Sequence, residues 1–555
     1  MKNQLCFLGF IILAFGCNQP GSPSKTIDPA DTSTKEVAVI PRDATLQEPG
    51  IRDYTITAEN AYNNLFLDSS TVETYIETNK LATDEAAILR NFYIRRNFEY
   101  AWFDGTGLTA EALNFWNAYM YSGLTKQKST TKDKRLAAQM DTMLNSTDTS
   151  SGQTDSAYLH NEIALTQKFI DYYGSSDNKQ LISQIPLGLL LPSKKMDALS
   201  LADSFMHVTP NAGTTGTPVN PYYLLQNKLA AYMSQAKTGS WDTITIKGTL
   251  RKGNASPAVK AFKRRLQLTG DLPGSDTTAK FNDSLEMAVK ALQEGMGLKP
   301  DGIITSSLLN ELNRPPAYRL RELLVNMSRM LWLPAQLPAS YIQVNIPEFL
   351  LKVYEPTGKV FDMRVVTGDE GTRTTMFAGD LNEVVFSPYW NLPASIVARE
   401  IMPAIKRNPN YLARKHMEIV GRNGTTPTIR QLPGPWNALG KVKFLFPNSY
   451  HIYLHDTPNK SLFNAKNRAF SHGCIRLEEP EKMANYVLRT DSTTWTAEKI
   501  HAAMNNDKEQ FVKLKQSLPV IITYFTAWVD EAGKLNFRDD VYGHDHRMIE
   551  KLFVN

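Results

Sequence analysis

The feature that most constrains this chain is a switch of hydrophobic period near Tyr341. Upstream, the segments YIETNKLATDEAAILRNFYIRR, LTAEALNFWNAYMYSGL and LHNEIALTQKFIDYYG carry apolar residues at spacings of three and four, the period of an amphipathic helix. Downstream, YIQVNIP, FLLKVYE, FDMRVVTG, EVVFSPYW and VIITYFTAWVD are short runs rich in β-branched and aromatic residues, bounded by Pro, Gly or Asp as strands are. Helices in the first part and strands in the last predict a multidomain α+β protein. Its 555 residues allow about three or four units, each with its own core. An apolar content of 42% and a charged content of 21% exclude disorder, collagen and coiled coil as descriptions of the whole. The net charge of +5 is the difference of 61 basic and 56 acidic residues spread along the chain, so no nucleic-acid partner is expected.

Lys2 precedes the apolar run LCFLGFIILAFG, Leu5 to Gly16, whose twelve residues fall short of a membrane span. A span needs roughly 20 residues, so residues 1–17 read as an export signal. The run ends at Cys17 after Ala14, Phe15 and Gly16, and this resembles a bacterial lipoprotein signal, with Leu13 one place from the usual position. That resemblance implies lipidation of Cys17 and a periplasmic, membrane-anchored protein. An ordinary cleaved signal and an uncleaved anchor are the alternatives, and all three export the chain. Of the three cysteines, Cys6 lies in the signal and Cys17 would carry lipid, which leaves Cys474 unpaired in an oxidising compartment. Such a residue is either a buried apolar filler or a reactive thiol. Residues 18–50 are polar and Pro-bearing, and read as a flexible tether.

Residues 51–242 read as a helical scaffold, with surface loops from Asn145 and from Thr209. In the next unit, 243–315, Ser256-Pro257 starts a helix with Val259, Phe262 and Leu266 on one face, and Asp283 or Ser284 starts another with Leu285, Val289 and Leu292. The pair closes on GLKPDG. This unit resembles the three-helix peptidoglycan-binding domain, although Thr305 and Leu308 stand where that family has Gly and Thr. The resemblance implies contact with glycan strands; a plain helical packing module is the alternative. A last amphipathic helix, RLRELLVNMSRMLWLP, occupies 316–338 and precedes the mainly β unit at 339–530. Within it, 402–434 form a basic, Pro- and Gly-bearing insertion of the length that lids have. Residues 531–555 read as a C-terminal tail, in which His544-Asp545-His546 is solvated, while His160, His207, His416 and His501 read as surface or packing residues.

The chemistry is concentrated in HIYLHDTPNKSLFNAKNRAFSHGCIRLEEP, His451 to Pro480. HIYLH reads as a strand, which would set His451 and His455 about 13 Å apart at ~3.3 Å per residue, too far to share a zinc ion. No metal site is expected. A cysteine is only a few per cent thiolate at neutral pH, so a nucleophilic Cys474 needs a base, and His455 lies a strand, a turn and a return away. Gly473 lets backbone approach a substrate carbonyl, with adjacent N–H groups facing an oxyanion.

Ser471-His472-Gly473-Cys474-Ile475-Arg476, preceded by Leu454-His455-Asp456, resembles the active-site motif of the L,D-transpeptidases, cysteine enzymes that cross-link peptidoglycan stem peptides. VNIP at Val344, SPYWNLPASI at Ser387, LPGPWNALG at Leu432 and KFLFPNSYHIYLHDTP are similar to the larger periplasmic branch, in which a helical scaffold carries the wall-binding unit as an insertion. The resemblance implies Cys474 as acyl-accepting nucleophile and His455 as its base. It implies site-shaping roles for Ser471, His472 and Gly473, with N–H groups of Gly473 and Cys474 as oxyanion donors. Arg476, Tyr453, Trp390 and Asn437 are its candidate substrate-binding residues, with packing as the alternative for each. The implied reaction joins two stems by a 3-3 cross-link through a thioester, without cofactor, and 402–434 would be the capping loop. Water or a protein amine as acceptor would instead give an L,D-carboxypeptidase or protein attachment to the wall. From another class, a wall-anchoring lipoprotein without turnover would be expected to have lost Cys474 or His455, and both are present. Implied partners are stem peptides, glycan strands, a membrane through the lipid, and other wall-synthesis proteins.

Overall fold

The computed structural model describes residues 50–121, 131–145, 156–174, 186–208, 220–238, 241–333, 337–424 and 426–554. The expected signal with Cys17, the tether up to residue 49, and residues 146–155 and 209–219 of the expected loops lie outside them.

The scaffold is built on the helices Ser69–Asn79, Thr83–Arg95, Ala110–Tyr121, Ser156–Gly174, Ala198–Met206 and Pro221–Thr238, with a small hairpin of β1 (Phe103–Asp104) and β2 (Gly107–Leu108). Their apolar faces meet in one core around Phe92, Trp102, Phe115, Phe169, Phe205 and Leu225. The helix Pro316–Met330 sends Leu320, Leu323, Leu324 and Met327 into that same core, so the chain returns to the scaffold after an excursion.

That excursion is a small unit of three helices, Pro257–Thr269, Asp283–Gly295 and Ser306–Leu312, closed on Val259, Phe262, Leu266, Leu285, Val289 and Leu308. Ser256 caps the first helix, its hydroxyl accepting from the Val259 N–H at 3.4 Å, and Pro257 occupies the first turn, where its missing N–H costs nothing. Thr305 caps the third helix by accepting from the Leu308 N–H, and Leu308 is fully buried. The two positions that depart from the family pattern therefore hold the fold of this unit.

The C-terminal half carries β3 (Tyr341–Asn345), β4 (Leu350–Glu355), β5 (Gly358–Gly368), β6 (Phe377–Phe386), β7 (Trp390–Asn391), β8 (Met417–Asn423) and β9 (Thr426–Gln431). It continues with β10 (Val442–Leu445), β11 (Leu454–His455), β12 (Ala469–Ser471), β13 (Ile475–Leu477) and β14 (Gln510–Thr523). Among the described residues, nine strands pair in the order β12-β5-β13-β11-β10-β6-β14-β3-β4, and β4 also pairs with β5, which closes the sheet on itself. Most pairs are antiparallel; β11 with β13, β14 with β3, and β12 with β5 are parallel. Ile342, Val344, Val353, Val365, Phe444, Leu454 and Ile475 meet in one buried cluster.

Three sequence expectations need correction. Residues from 531 onward are not a solvated tail. Val529 of β15 (Ala527–Val529) and Phe537 of β16 (Leu535–Phe537) lie in the scaffold core, as do Met548, Leu552 and Phe553 at and beyond the helix His544–Leu552. Asp545 is buried and pairs with Arg329 at 2.6 Å, and the Thr526 hydroxyl donates to its other oxygen at 2.5 Å. His546 alone of that triplet is well exposed. The expected insertion at 402–434 begins earlier, at Trp390, and is a folded cap. Its sheet runs β7-β9-β8, and Leu392, Ile396, Val397, Ile401 and Ile429 form a core of its own. Finally, HIYLH is strand only at Leu454–His455; His451 takes a left-handed turn, φ 54°.

Candidate active site

The parallel pairing of β11 and β13 sets Leu454 opposite Ile475 and His455 opposite Arg476, and the Ile475 N–H donates to the Tyr453 carbonyl at 3.1 Å. Leu454 and Ile475 are fully buried in the core. Side chains alternate along a strand, so Tyr453, His455, Cys474 and Arg476 share the opposite face, with diagonal neighbours roughly 7–8 Å apart at the backbone. The sequence encodes this in the alternation of apolar Leu454 and Ile475 with the four functional types.

Cys474 is half-buried and unpaired. Its Sγ donates to the His451 carbonyl at 3.7 Å, a position the left-handed His451 turn provides. Burial pushes the thiol up, opposed by hydrogen bonds from the Tyr453 backbone and hydroxyl and by the Arg476 charge. Burial also keeps the Tyr453 phenol protonated, a neutral donor beside the sulfur.

His455 is 4% exposed. Its Nδ1 contacts the Asp456 carbonyl at 2.5 Å; a carbonyl only accepts, so the proton is assigned to Nδ1 and the Nε2 lone pair is left as the basic site. Burial first, and then the Arg476 charge, push the imidazole down to about 3. The Tyr453 ring packs edge-on against it at 5.7 Å.

The turn before Cys474 is tied from both sides. Ser471 Oγ donates to the Cys474 carbonyl at 2.5 Å and accepts from the Gly473 N–H at 3.2 Å. Gly473 sits at φ 105°, where a side chain would strain the backbone. Its N–H is thus committed to Ser471, which removes it from the expected oxyanion donors; the Cys474 N–H makes no hydrogen bond among the described residues. The loop after β5 grips the turn: Thr374 Oγ1 donates to the Gly473 carbonyl at 2.7 Å and Thr372 Oγ1 to the Ser471 carbonyl at 3.0 Å.

His472 points away from this face, and its Nε2 meets Glu400 Oε1 at 2.9 Å in the cap's π-helical turn Val397–Ile401. Arg476 makes no ion pair or hydrogen bond among the described residues, and its Nε is buried without a partner. Asn437 is not a substrate contact. It is fully buried, its Nδ2 donates to the Pro388 and Leu432 carbonyls at 2.9 Å each, and its Oδ1 accepts from the Leu439 N–H at 2.8 Å. Trp390 lies in β7 opposite Gln431 and packs against the cap's core.

The sequence reading missed several residues that shape the site. Asp456 accepts from the Lys441 N–H at 2.9 Å, the Thr457 N–H at 2.7 Å and Lys460 Nζ at 2.8 Å, fixing the chain beside His455. A Cβ at Gly440, φ 62°, would collide with that carboxylate. Thr374 and Glu400 are distant in sequence from the motif, and no local pattern marks them. Among the described residues no three His, Cys, Asp or Glu side chains converge as metal ligands, and no helix is long and apolar enough to cross a membrane.

Residues 339–515 match the model of the L,D-transpeptidase catalytic domain, residues 255–312 that of the "Putative peptidoglycan binding domain", and residues 87–240 that of the Scaffold domain. A Haemophilus influenzae protein named "Putative L,D-transpeptidase" is 32% identical over 223 residues, 37% of this chain and 45% of that one. The match thus spans under half the length of that relative. Among solved structures, an L,D-transpeptidase from Xylanimonas cellulosilytica is similar over 50% of this chain and 98% of its own at 14% identity and a TM-score of 0.17. One from Stackebrandtia nassauensis is similar over 51% and 97%, again at 14% identity, with a TM-score of 0.19. The family models thus identify an L,D-transpeptidase catalytic domain at 339–515, a peptidoglycan-binding domain at 255–312 and a scaffold domain at 87–240 of this chain.

Proposed function

We propose that the protein transfers acyl groups between peptidoglycan stem peptides through a thioester on Cys474, forming 3-3 cross-links. The observation that carries this reading is the shared face of β11 and β13, which sets the unpaired Cys474 beside Tyr453, His455 and Arg476. His455 Nε2 takes the thiol proton as sulfur attacks the carbonyl of the third residue of a donor tetrapeptide. The Cys474 N–H and the Tyr453 hydroxyl donate to the developing oxyanion. Arg476, whose side chain is unpaired among the described residues, receives a carboxylate of the donor. Collapse of the intermediate expels D-Ala, protonated by the imidazolium, and leaves the thioester. The side-chain amine of a second stem's diamino acid then attacks, His455 accepts its proton, and the thiolate leaves and is reprotonated.

Water in place of that amine would give a carboxypeptidase. The cap favours transfer, because its Glu400 reaches the turn of the nucleophile and a closed cap excludes water. The peptidoglycan-binding unit would hold the enzyme to glycan strands. Export with lipidation at Cys17 would place it on the periplasmic face of a membrane.

The test is mass spectrometry of stem tetrapeptides incubated with the wild-type protein and with Cys474→Ala. The reading expects a dimer of two tetrapeptides less one D-Ala, absent in the variant. Tripeptide without dimer would assign hydrolysis or protein attachment, and an active variant would overturn the role of Cys474.

A further inference from the structure

A cleft of about 670 Å³ runs between the scaffold, at residues 58–64 and 104–114, and the loop Arg373–Met376 with the C-terminal helix. Tyr453, His455, Cys474 and Arg476 are not among its lining residues, which carry several cationic side chains. Arg373, His544 and Arg547 line one wall, and the buried Arg329 reaches it as well. Arg547 Nη2 donates to the His544 Nδ1 at 2.7 Å and the Tyr542 carbonyl at 3.0 Å, and it has no ion pair among the described residues. The nearest carboxylate to Arg373 is the exposed Glu370, at 3.8 Å. Arg329 is 4% exposed and pairs with Asp545 through Nη1, while its Nη2 is buried with no hydrogen-bond partner.

The cleft's acids make no ion pair with this wall among the described residues, and Glu59, which also lines the cleft, is exposed. Asp104 is paired with Lys551, Glu550 pairs with His546 at 3.3 Å, and Glu111 accepts from the Tyr62 hydroxyl at 2.7 Å. Asp540 caps the C-terminal helix, accepting from the N–H groups of His544 and Asp545 at 2.9 Å each. Repulsion among the cations is felt inside the chain: burial first, and then Arg329, Arg547 and Arg373, push His544 down to about 3. Like charges gathered in a half-buried cleft cost stability unless something of opposite charge joins them. Guanidinium forks match carboxylate and phosphate oxygens two at a time, and the volume suits a ligand of short-peptide size.

We propose that this cleft binds a small oxyanion-bearing ligand, its carboxylate or phosphate held between Arg373 and Arg547 and its apolar part against Leu108, Met376 and Met548. Thr374, which lines the cleft, also donates to the Gly473 carbonyl, so the ligand would lie one residue from the turn of the nucleophile.

Isothermal titration of the protein with inorganic phosphate and, separately, with the dipeptide acetyl-Glu-Ala tests this. Neither probe has the scissile bond of a tetrapeptide donor, and Arg476→Ala separates binding at the Cys474 face from binding in the cleft. Saturable one-to-one binding of either probe is expected, weakened at least fivefold by Arg547→Ala or by Arg373→Ala and not by Arg476→Ala. Phosphate alone binding would assign an inorganic or phosphoryl ligand, and the dipeptide alone a carboxylate one. Arg373 lies on an exposed loop, so its variant remains folded if Arg547→Ala does not. Absence of saturable binding, less than fivefold weakening in both variants, or equal loss in Arg476→Ala would overturn the proposal.

Discussion

At Cys474 and His455, burial decides the resting charge state. The thiol of Cys474 is pushed up and the imidazole of His455 down to about 3, so both are neutral near pH 7. Alkylation of Cys474 by iodoacetamide is therefore expected to accelerate steadily with pH through and above 8.5, where a free thiol titrates. A plateau reached below pH 7, the mark of a preformed thiolate–imidazolium pair, would contradict this. Tyr453→Phe removes a hydroxyl that favours the thiolate, and alkylation at pH 8 should slow about tenfold, the worth of one hydrogen bond to a charged group. Cys474 and His455, the proposed nucleophile and base, were legible as candidates because each sits in a short motif. The commitment of Gly473 to Ser471 and the burial of Asn437 were not, since both depend on contacts made only when the turns close.

For single elements, the cap and the turn beside His455 are the parts most open to test. His472 and Glu400 meet across the cap but are 51% and 54% exposed at their side chains, so their pair is worth at most about 1 kcal/mol. Glu400→Ala should therefore raise the ratio of hydrolysed tripeptide to cross-linked dimer by about two- to fivefold without loss of thermal stability. An unchanged ratio would separate the cap from water exclusion. Gly440→Ala should destabilise the protein by about 1–3 kcal/mol in thermal unfolding, because its Cβ would strike the Asp456 carboxylate and its φ is 62°. The helix starting at Pro257 was legible from Ser256-Pro257, whose physics is local. The strand expected over HIYLH was not, because the left-handed turn of His451 is set by packing rather than by its type.

In the whole molecule, the C-terminal helix ties the catalytic barrel to the scaffold, which composition had hidden by making 531–555 look polar. Asn326 Nδ2 donates to Thr526 Oγ1 at 2.7 Å, which donates on to Asp545 at 2.5 Å, while Arg329 completes the pair. Asp545→Ala leaves Arg329 buried and unpaired, and should cost about 3–5 kcal/mol, read as a lower Tm. His544 adds a pH dependence. Its folded value near 3 lies below an unfolded value near 6.5, so the unfolded chain binds the extra proton first as pH falls. The stability it contributes is complete above about pH 6.5 and is lost progressively toward pH 3, and His544→Gln should flatten the fall of Tm across that window. The broad order of helical scaffold, small helical unit and β domain was legible because hydrophobic period is a local signal. The sharing of one core by residues 62–233, 320–333 and 525–553 was not, since no local pattern records which distant faces meet.

The most direct measurement of the central claim is the intact mass of the protein after rapid acid quenching with a stem tetrapeptide. The account predicts an adduct equal to the tetrapeptide less D-Ala, located on Cys474 by peptide mapping, absent in Cys474→Ala and formed at least a hundredfold more slowly in His455→Ala. An adduct on any other residue, or cross-linking that persists in Cys474→Ala, would contradict it.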